Sequence, residues 1–193
     1  TEEKKDPERE LRLKGIFRHR WDISLMPPEE LELRVIVWQA EGVPIDDPEG
    51  MTDIYVSCSM NSYPGGQTKK TDTHIRSEGF VLSILTQGSF NWRMKYPLRA
   101  DSYTLPQQYR LDVQIWDKDL LTKNDYLSNV TIDAWECVLG CIIEGRSAIL
   151  KPENAEYDGE KKFVAIAECR RPGDHKGEKS RITLSVECLT KSE

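Results

Sequence analysis

Apolar and polar side chains alternate through most of this chain of 193 residues, in short runs that end at turn residues. Alternation with a period of two is typical of strands that bury one face, because successive side chains of a strand point to opposite sides. Breaks such as DDPEGMT and YPGG supply the Gly, Pro and Asp that turns require. The pattern predicts strands over LELRVIVWQA, DIYVSCSM, TKKTDTHI, SFNWRMKYP, YRLDVQIW, YLSNVTIDA, KFVAIAEC and RITLSVECL.

These predicted strands indicate an all-β fold, because neither an internal repeat nor βαβ alternation accompanies them. We expect an eight-stranded antiparallel Greek-key β-sandwich. The segment WECVLGCII after Ala134 is too apolar for a loop and predicts one short helix that caps the sandwich. Residues 1–30 are highly charged and end in MPPEE, so we expect a leader or linker that packs on the domain edge, followed by one domain over residues 31–193.

Net charge, hydropathy and cysteine content exclude several classes of protein. The formal net charge is −6 and the basic residues form no long stripe, which argues against a nucleic acid partner. No apolar run approaches the roughly 20 residues of a membrane span. Five scattered cysteines favour reduced thiols in a cytosolic setting. Cys137 and Cys141 lie one helical turn apart, but the other half of a zinc site is not evident, so we interpret them as buried apolar residues.

Two breaks between predicted strands each carry a group of aspartates: Asp46, Asp47 and Asp53 in the first, and Asp117, Asp119 and Asp125 in the second. In a sandwich, alternate connections fall at the same end, so two loops that are distant in sequence can face each other. Carboxylates that lie together repel unless they share a cation or a proton. Flexible loops that offer only oxygen ligands suit calcium better than zinc or magnesium. The alternative is that these aspartates serve only as turn residues.

Longer runs around the same breaks resemble a known family. VWQAEGVPIDDPEGMTDIYV and IWDKDLLTKNDYLS are similar to C2 domains, β-sandwiches whose apical loops bind calcium and then acidic phospholipid. ELRVIVW, TDIYV, TDTH, GSFNWR and NDYLS resemble in particular a membrane-proximal C2 domain of the ferlins, the multi-C2 proteins of vesicle fusion and membrane repair. The alternative is a C2 domain of a related double-C2 exocytosis protein. The resemblance covers residues 31–189 and implies the permuted type II strand order.

The resemblance implies a calcium site and a function. Two or more calcium ions would bind five aspartates: Asp47, Asp53, Asp117, Asp119 and Asp125. The implied function is calcium-dependent phospholipid binding in membrane trafficking, vesicle fusion or exocytosis, with an anionic membrane surface as partner and fusion machinery proteins as further candidates. We expect a monomeric domain that is cytoplasmic and peripheral at membranes. We also expect it to be a fragment of a larger protein whose membrane anchor, if it has one, lies elsewhere.

Apolar residues beside the aspartates predict membrane insertion, because turns ordinarily carry polar side chains. Met51 lies in the first break, and Leu120 and Leu121 lie in the second. Burying a side chain of this size in a bilayer is worth about 1.5 to 3 kcal/mol. The alternative is that Leu121 packs against its own loop.

Lys69 and Lys70 form a basic pair on a predicted strand, near Trp92 of an opposing strand. The corresponding face of several C2 domains binds phosphoinositides, and a lysine near an anionic membrane surface is worth about 1 kcal/mol. A solvated strand face is the alternative for two lysines, and we expect Trp92 in the core.

Two other functions stay open. The first alternative is a C2-fold module that binds a protein and uses calcium structurally or not at all, and the second is a regulatory C2 domain of a larger enzyme. We expect no enzymatic activity from these residues themselves, because neither a Ser/His/Asp or Cys/His set nor a phosphate-binding glycine loop is evident.

Overall fold

The computed structural model describes residues 29–45, 51–60, 66–78, 85–100, 109–119, 123–153, 155–169 and 179–190. Within these ranges, eleven antiparallel strands form one continuous sheet around a hydrophobic core, and one helix, α1 (Trp135–Glu144), packs beside it. The strands are β1 (Glu29–Pro44), β2 (Met51–Met60), β3 (Gln67–Lys70), β4 (His74–Glu78), β5 (Leu85–Ala100), β6 (Arg110–Asp117), β7 (Asp125–Asp133), β8 (Ala148–Ile149), β9 (Glu156–Asp158), β10 (Lys162–Cys169) and β11 (Lys179–Thr190).

Eight of the strands follow one another in the order β3-β2-β6-β7-β10-β11-β1-β5. The three shorter ones lie beside this path: β4 pairs with β2, β8 with β11 and β9 with β10. The predicted antiparallel β-sandwich with one short helix is confirmed. The first and last strands are antiparallel neighbours, with Val35 opposite Val186, in agreement with the permuted strand order.

The core consists of the inward-facing side chains that the alternation predicted. In β6, Leu111, Val113 and Ile115 are fully buried, and the residues between them are only partly buried. The two layers also share a polar contact, because the Tyr96 hydroxyl of β5 donates a hydrogen bond to the Cys58 carbonyl of β2 at 2.9 Å. This bond satisfies a hydroxyl that is removed from water.

The predicted strand TKKTDTHI is wrong as one element, because the segment forms parts of β3 and β4, which pair with different stretches of β2. Thr71 lies between them and binds both backbone groups of Val56. The Thr71 amide donates to the Val56 carbonyl at 2.9 Å, and the Thr71 hydroxyl accepts from the Val56 amide at 3.0 Å. These two bonds redirect the chain, and a local alternation of apolar residues does not reveal them.

The expectation that Trp92 lies in the core is also wrong, because its side chain is 40% exposed. Val37 lies opposite Trp92 and Gln39 lies opposite Ser89, so one residue of β1 faces two residues of β5. The extra residue is a β-bulge, and Asn91 within it adopts a positive φ of 47°. Trp92 therefore lies directly beside an irregularity of the ladder, which the alternation of apolar residues does not reveal.

Helix α1 buries Cys137, Val138 and Cys141 against the last strand. The Cys137 thiol donates to the Ala148 carbonyl at 3.0 Å, and Ala148 lies opposite Cys188 in the β8–β11 ladder. Burial raises the pKa of the Cys137 thiol to about 12. The interpretation of Cys137 and Cys141 as buried apolar residues is confirmed, and both are free thiols.

We expect only one of the five thiols to react quickly with iodoacetamide at pH 7.5 in the folded protein. Cys169 is partly exposed, whereas Cys58, Cys137, Cys141 and Cys188 are buried. Burial raises the pKa of Cys58, like that of Cys137, to about 12, so very little reactive thiolate forms at this pH. Mass spectrometry of the alkylated protein before and after guanidinium unfolding measures the number of modified residues. Rapid labelling of α1 in the folded protein would contradict its packing against β11.

Candidate functional site

The strand ends that flank three connections, β1–β2, β4–β5 and β6–β7, lie at one end of the sandwich, which we call the aspartate end. The strand register brings them together, because Pro44 lies opposite Leu85, Met51 opposite Glu78 and Asp117 opposite both Ile54 and Asp125. The strand ends that flank the β1–β2 and β6–β7 connections therefore share one end of the sandwich, as expected, whereas residues 46–50 and 120–122 lie outside the described residues.

Asp117 ends the central strand β6 and is only 2% exposed. Its Oδ1 atom accepts a hydrogen bond from the Asp53 amide at 2.8 Å. The next residue returns the contact, because the Lys118 amide donates to the Asp53 carbonyl at 2.9 Å. These two bonds tie the start of β2 to the end of β6 and hold Asp53 and Asp117 at adjacent positions.

Two further aspartates lie on the neighbouring chain segments. Asp125 opens β7 directly opposite Asp117 and is exposed, and Asp119 follows Asp117 by two positions and is partly buried. Two exposed lysines, Lys118 and Lys123, flank the same connection. Their charges offset only part of the charge of the four carboxylates, so the aspartate end carries a local excess of negative charge.

Four other predicted site residues cannot be located in the same detail. Asp47, Leu120 and Leu121 lie outside the described residues. Met51 is placed as the first residue of β2, but its side chain is likewise not described.

The carboxylates at the aspartate end are hard oxygen donors, which is the ligand type that calcium prefers. In the part of the chain that the structure describes, however, no three His, Cys, Asp or Glu residues are grouped closely enough to hold a metal ion. The described residues therefore have the chemistry of a calcium site without forming a complete set of ligands by themselves.

Sequence reasoning missed a second contact between β2 and the β6–β7 connection. The Asn124 side-chain amide donates a hydrogen bond to the Tyr55 hydroxyl at 3.0 Å. Tyr55 is two positions beyond Asp53, and Asn124 directly precedes Asp125. That adjacency to the aspartates is the only signal in the sequence that points to these two residues.

Lys69 and Lys70 do not form a joint basic cluster in the structure. They are consecutive residues of β3, so their side chains leave the strand on opposite sides. The Lys69 ammonium lies 5.4 Å from the centre of the Tyr96 ring, and the Lys70 ammonium lies 5.0 Å from that of the Tyr55 ring.

Lys70 instead faces a cleft of about 490 Å³ on the outer side of β2, β3 and β6. Lys123, which the sequence analysis did not single out, lines the same cleft. The cleft therefore combines two ammonium groups with aromatic and amide side chains, among them Tyr55, Trp116 and Asn124. These groups suit an anionic ligand that also offers hydrogen-bond acceptors.

Comparison with protein families shows that the C2 domain family matches residues 31–147, which is more than half of the chain. Myoferlin from Xenopus tropicalis is 33% identical over 139 residues, and Fer-1-like protein 4 from Mus musculus is 26% identical over 142 residues. These matches cover 58% and 62% of the present chain and 7% of each relative. The chain therefore spans less than a tenth of the length of these curated relatives.

The fold has a counterpart among solved structures. A C2 domain of plant Extended Synaptotagmin 1 superposes with a TM-score of 0.50 at 15% identity, over 83% of this chain and 96% of that one. At this level of identity the similarity concerns the fold alone. In the described residues, no helix is both long and apolar enough to cross a membrane.

Two substitutions of Asp117 should separate its charge from its hydrogen bond. Asp117→Ala leaves the Asp53 amide without its acceptor, so we expect the free energy of unfolding of the metal-free protein to fall by about 1 to 3 kcal/mol. Asp117→Asn keeps an acceptor oxygen at the same place and should cost less than about 1 kcal/mol. Urea unfolding with chelator present measures both.

Asp119→Ala is the matched control for these variants. Asp119 lies in the same connection, but its side chain is not the acceptor of the Asp53 amide. We expect the free energy of unfolding of Asp119→Ala to stay within about 0.5 kcal/mol of that of the wild type. Equal losses for Ala and Asn at position 117 would show that the hydrogen bond does not stabilise the fold.

Proposed function

We propose that this chain, which belongs to the C2 domain family, binds anionic phospholipid membranes in a calcium-dependent manner and acts in membrane trafficking, vesicle fusion or exocytosis. The observation that carries the proposal is the register of β2, β6 and β7, which brings Asp53, Asp117 and Asp125 to one end of the sandwich. If these aspartates were only turn residues, they would have no reason to lie next to one another on three neighbouring strands. The similarity to ferlins supports the membrane role.

In this proposal five side chains hold two or more calcium ions: Asp47, Asp53, Asp117, Asp119 and Asp125. The buried Asp117 is held by the Asp53 amide, whereas the exposed Asp125 is open to solvent. Before an ion binds, their combined negative charge repels anionic headgroups. Calcium, when bound, would reverse this local potential and accept phosphate oxygens from lipid. Calcium binding and membrane binding should therefore strengthen each other.

Insertion of apolar loop residues is the second part of the proposal. Met51, Leu120 and Leu121 adjoin the aspartates in sequence, so a membrane that contacts the carboxylates also lies within their reach. Their transfer into the acyl region would add several kcal/mol that does not depend on charge.

In this proposal the cleft on the outer side of β2, β3 and β6 is a second binding site for an anionic lipid headgroup. Lys70 and Lys123 line it, and Lys123 belongs to the connection that also carries Asp119. A phosphoinositide headgroup in the cleft would thus lie beside the aspartate end. Lys69 does not line this cleft, because it faces Tyr96 on the opposite side of β3.

We further propose that the domain is a monomer, cytoplasmic and peripheral at membranes, and a part of a longer protein. Fusion machinery proteins are additional candidate partners. The alternative functions are a protein-binding module that needs no lipid, and a regulatory domain of a larger enzyme. Co-sedimentation with phosphatidylserine liposomes, with and without calcium, separates lipid binding from protein docking.

Calcium should stabilise the domain by about 2.7 kcal/mol for each independent site at a free concentration one hundred times Kd. Calorimetric titration gives Kd, and thermal unfolding gives the stabilisation. The double variant Asp117→Asn with Asp119→Asn should lose calcium binding while the metal-free protein stays folded, because two of the five proposed ligands lose their charge.

Magnesium at matched ionic strength is the control for this titration. Its small octahedral shell fits flexible multi-carboxylate loops poorly, so it should shift the melting temperature much less than calcium does. An equal shift with both ions would indicate general screening of negative charge and would argue against a calcium site.

Changing Met51, Leu120 and Leu121 together to Ala should weaken liposome binding more than about tenfold and leave calcium affinity in solution nearly unaltered. None of the three is a proposed ligand, and a loss of about 1.4 kcal/mol of apolar burial already corresponds to about tenfold. The assay is liposome co-sedimentation at low and high salt, because salt weakens electrostatic attachment but not apolar insertion. Wild-type binding by the triple variant at both salt concentrations would rule insertion out.

A further inference from the structure

The connection between β6 and β7 is bound to β2 at both of its ends. At the front end, the Asp117 carboxylate and the Lys118 amide bond to the backbone of Asp53. At the rear end, the side-chain amide of Asn124 bonds to the hydroxyl of Tyr55. The front contacts involve the backbone of β2, whereas the rear contact depends on two side chains.

The rear contact is made by a tyrosine that is held in place by its neighbours. Tyr55 is 5% exposed, and the Lys70 ammonium lies over its ring at 5.0 Å. Its neighbour across the ladder is Trp116, whose ring meets that of Tyr126 edge to face at 5.1 Å. The hydroxyl of Tyr55 is therefore a fixed acceptor for an amide that comes from the loop.

Asp125 lies at one end of the β6–β7 ladder, so its pairing can open without the rest of the ladder. It is exposed, and its pairing with Asp117 is the last of the ladder. The two carboxylates carry the same charge and lie opposite each other, so without a cation their repulsion favours opening of this end. Asn124 is the residue directly before Asp125, and its bond to Tyr55 opposes that opening.

We infer that Tyr55 and Asn124 are positioning residues of the aspartate end, and that their hydrogen bond sets the calcium affinity by holding Asp125 opposite Asp117. The role of calcium rests on the proposed function. The bond between Asn124 and Tyr55 forms only when the start of β7 is paired with β6. It therefore raises the fraction of molecules in which Asp125 lies opposite Asp117 and calcium can bind. The apparent dissociation constant is inversely proportional to that fraction.

Tyr55→Phe removes the acceptor and keeps the ring beneath Lys70. We expect the calcium Kd, measured by calorimetry, to rise about two- to tenfold, which is the range that the net strength of one hydrogen bond allows. Asn124→Ala should have a similar effect. The two changes together should raise Kd little beyond either one alone, because both remove the same bond.

A second measurement needs no calcium. Amide hydrogen exchange of the metal-free protein reports opening of the segment 118–126, and we expect Tyr55→Phe to accelerate exchange there about two- to tenfold. Exchange in the β1–β11 ladder, at the other side of the sandwich, should stay as in the wild type. A general loss of stability would instead accelerate exchange in both places.

Tyr96→Phe is the matched control. It is the same chemical change in a buried tyrosine whose hydroxyl also makes a hydrogen bond, to the Cys58 carbonyl, and whose ring also lies beneath a lysine, Lys69. Its bond joins the two layers and does not involve the β6–β7 connection. Tyr96→Phe should therefore lower the melting temperature without changing the calcium Kd or the local exchange of 118–126.

The outcomes distinguish this inference from the proposed function. If the wild type binds calcium and Tyr55→Phe has the same Kd and the same exchange, the positioning role is overturned and the calcium site stands. If Tyr55→Phe and Tyr96→Phe change Kd equally, the effect is one of overall stability and the inference is likewise overturned. If the wild type gives no calcium binding at all, the proposed function fails and the affinity role falls with it.

Discussion

The hydrogen bond from the Asp53 amide to the Asp117 carboxylate determines the geometry of the aspartate end. β6 is the central strand of three, so a bond at its last residue also positions the residue opposite it on β7. An ionised acceptor makes this bond stronger than one between neutral groups. Because Asp117 is almost completely buried, its charge cannot be screened by water as that of Asp125 can. The two carboxylates are therefore unequal: one belongs to the framework, and the other faces solvent.

Much of this fold could be predicted from the sequence, because alternation is a local property that each strand carries by itself. The bulge at Asn91 could not, since it depends on how β5 aligns with β1 over many residues. The division of TKKTDTHI into β3 and β4 has the same origin, in bonds between Thr71 and a distant strand. The opposite directions of Lys69 and Lys70 follow from the period of two in a strand, so they could be predicted from the sequence.

The candidate site was predictable in its residue types and less so in their roles. The grouping of aspartates in two breaks drew attention to Asp53, Asp117 and Asp125, and the resemblance to C2 domains implied that all three are equivalent ligands. Tyr55 and Asn124 are separated by 69 positions and have no unusual spacing, so only a folded chain brings them together. Nothing in the sequence assigned Lys123 to an anion site, because a lysine beside several aspartates is explained by charge compensation alone. In the structure it lines the same cleft as Lys70.

The pairing of β1 with β11 has a mechanical consequence. Leu31 lies opposite Thr190, so the start of β1 and the end of β11 lie side by side, at the end remote from the aspartates. A force applied to these two segments pulls the strands apart like a zipper and breaks the ladder bonds one after another, starting from Leu31 and Thr190. The bonds that break last in this ladder are those near Glu41 and Arg181, at its opposite end. Force applied at Leu31 and Thr190 would thus open the domain from the end remote from the aspartates, and the strand ends beside the aspartates would separate last.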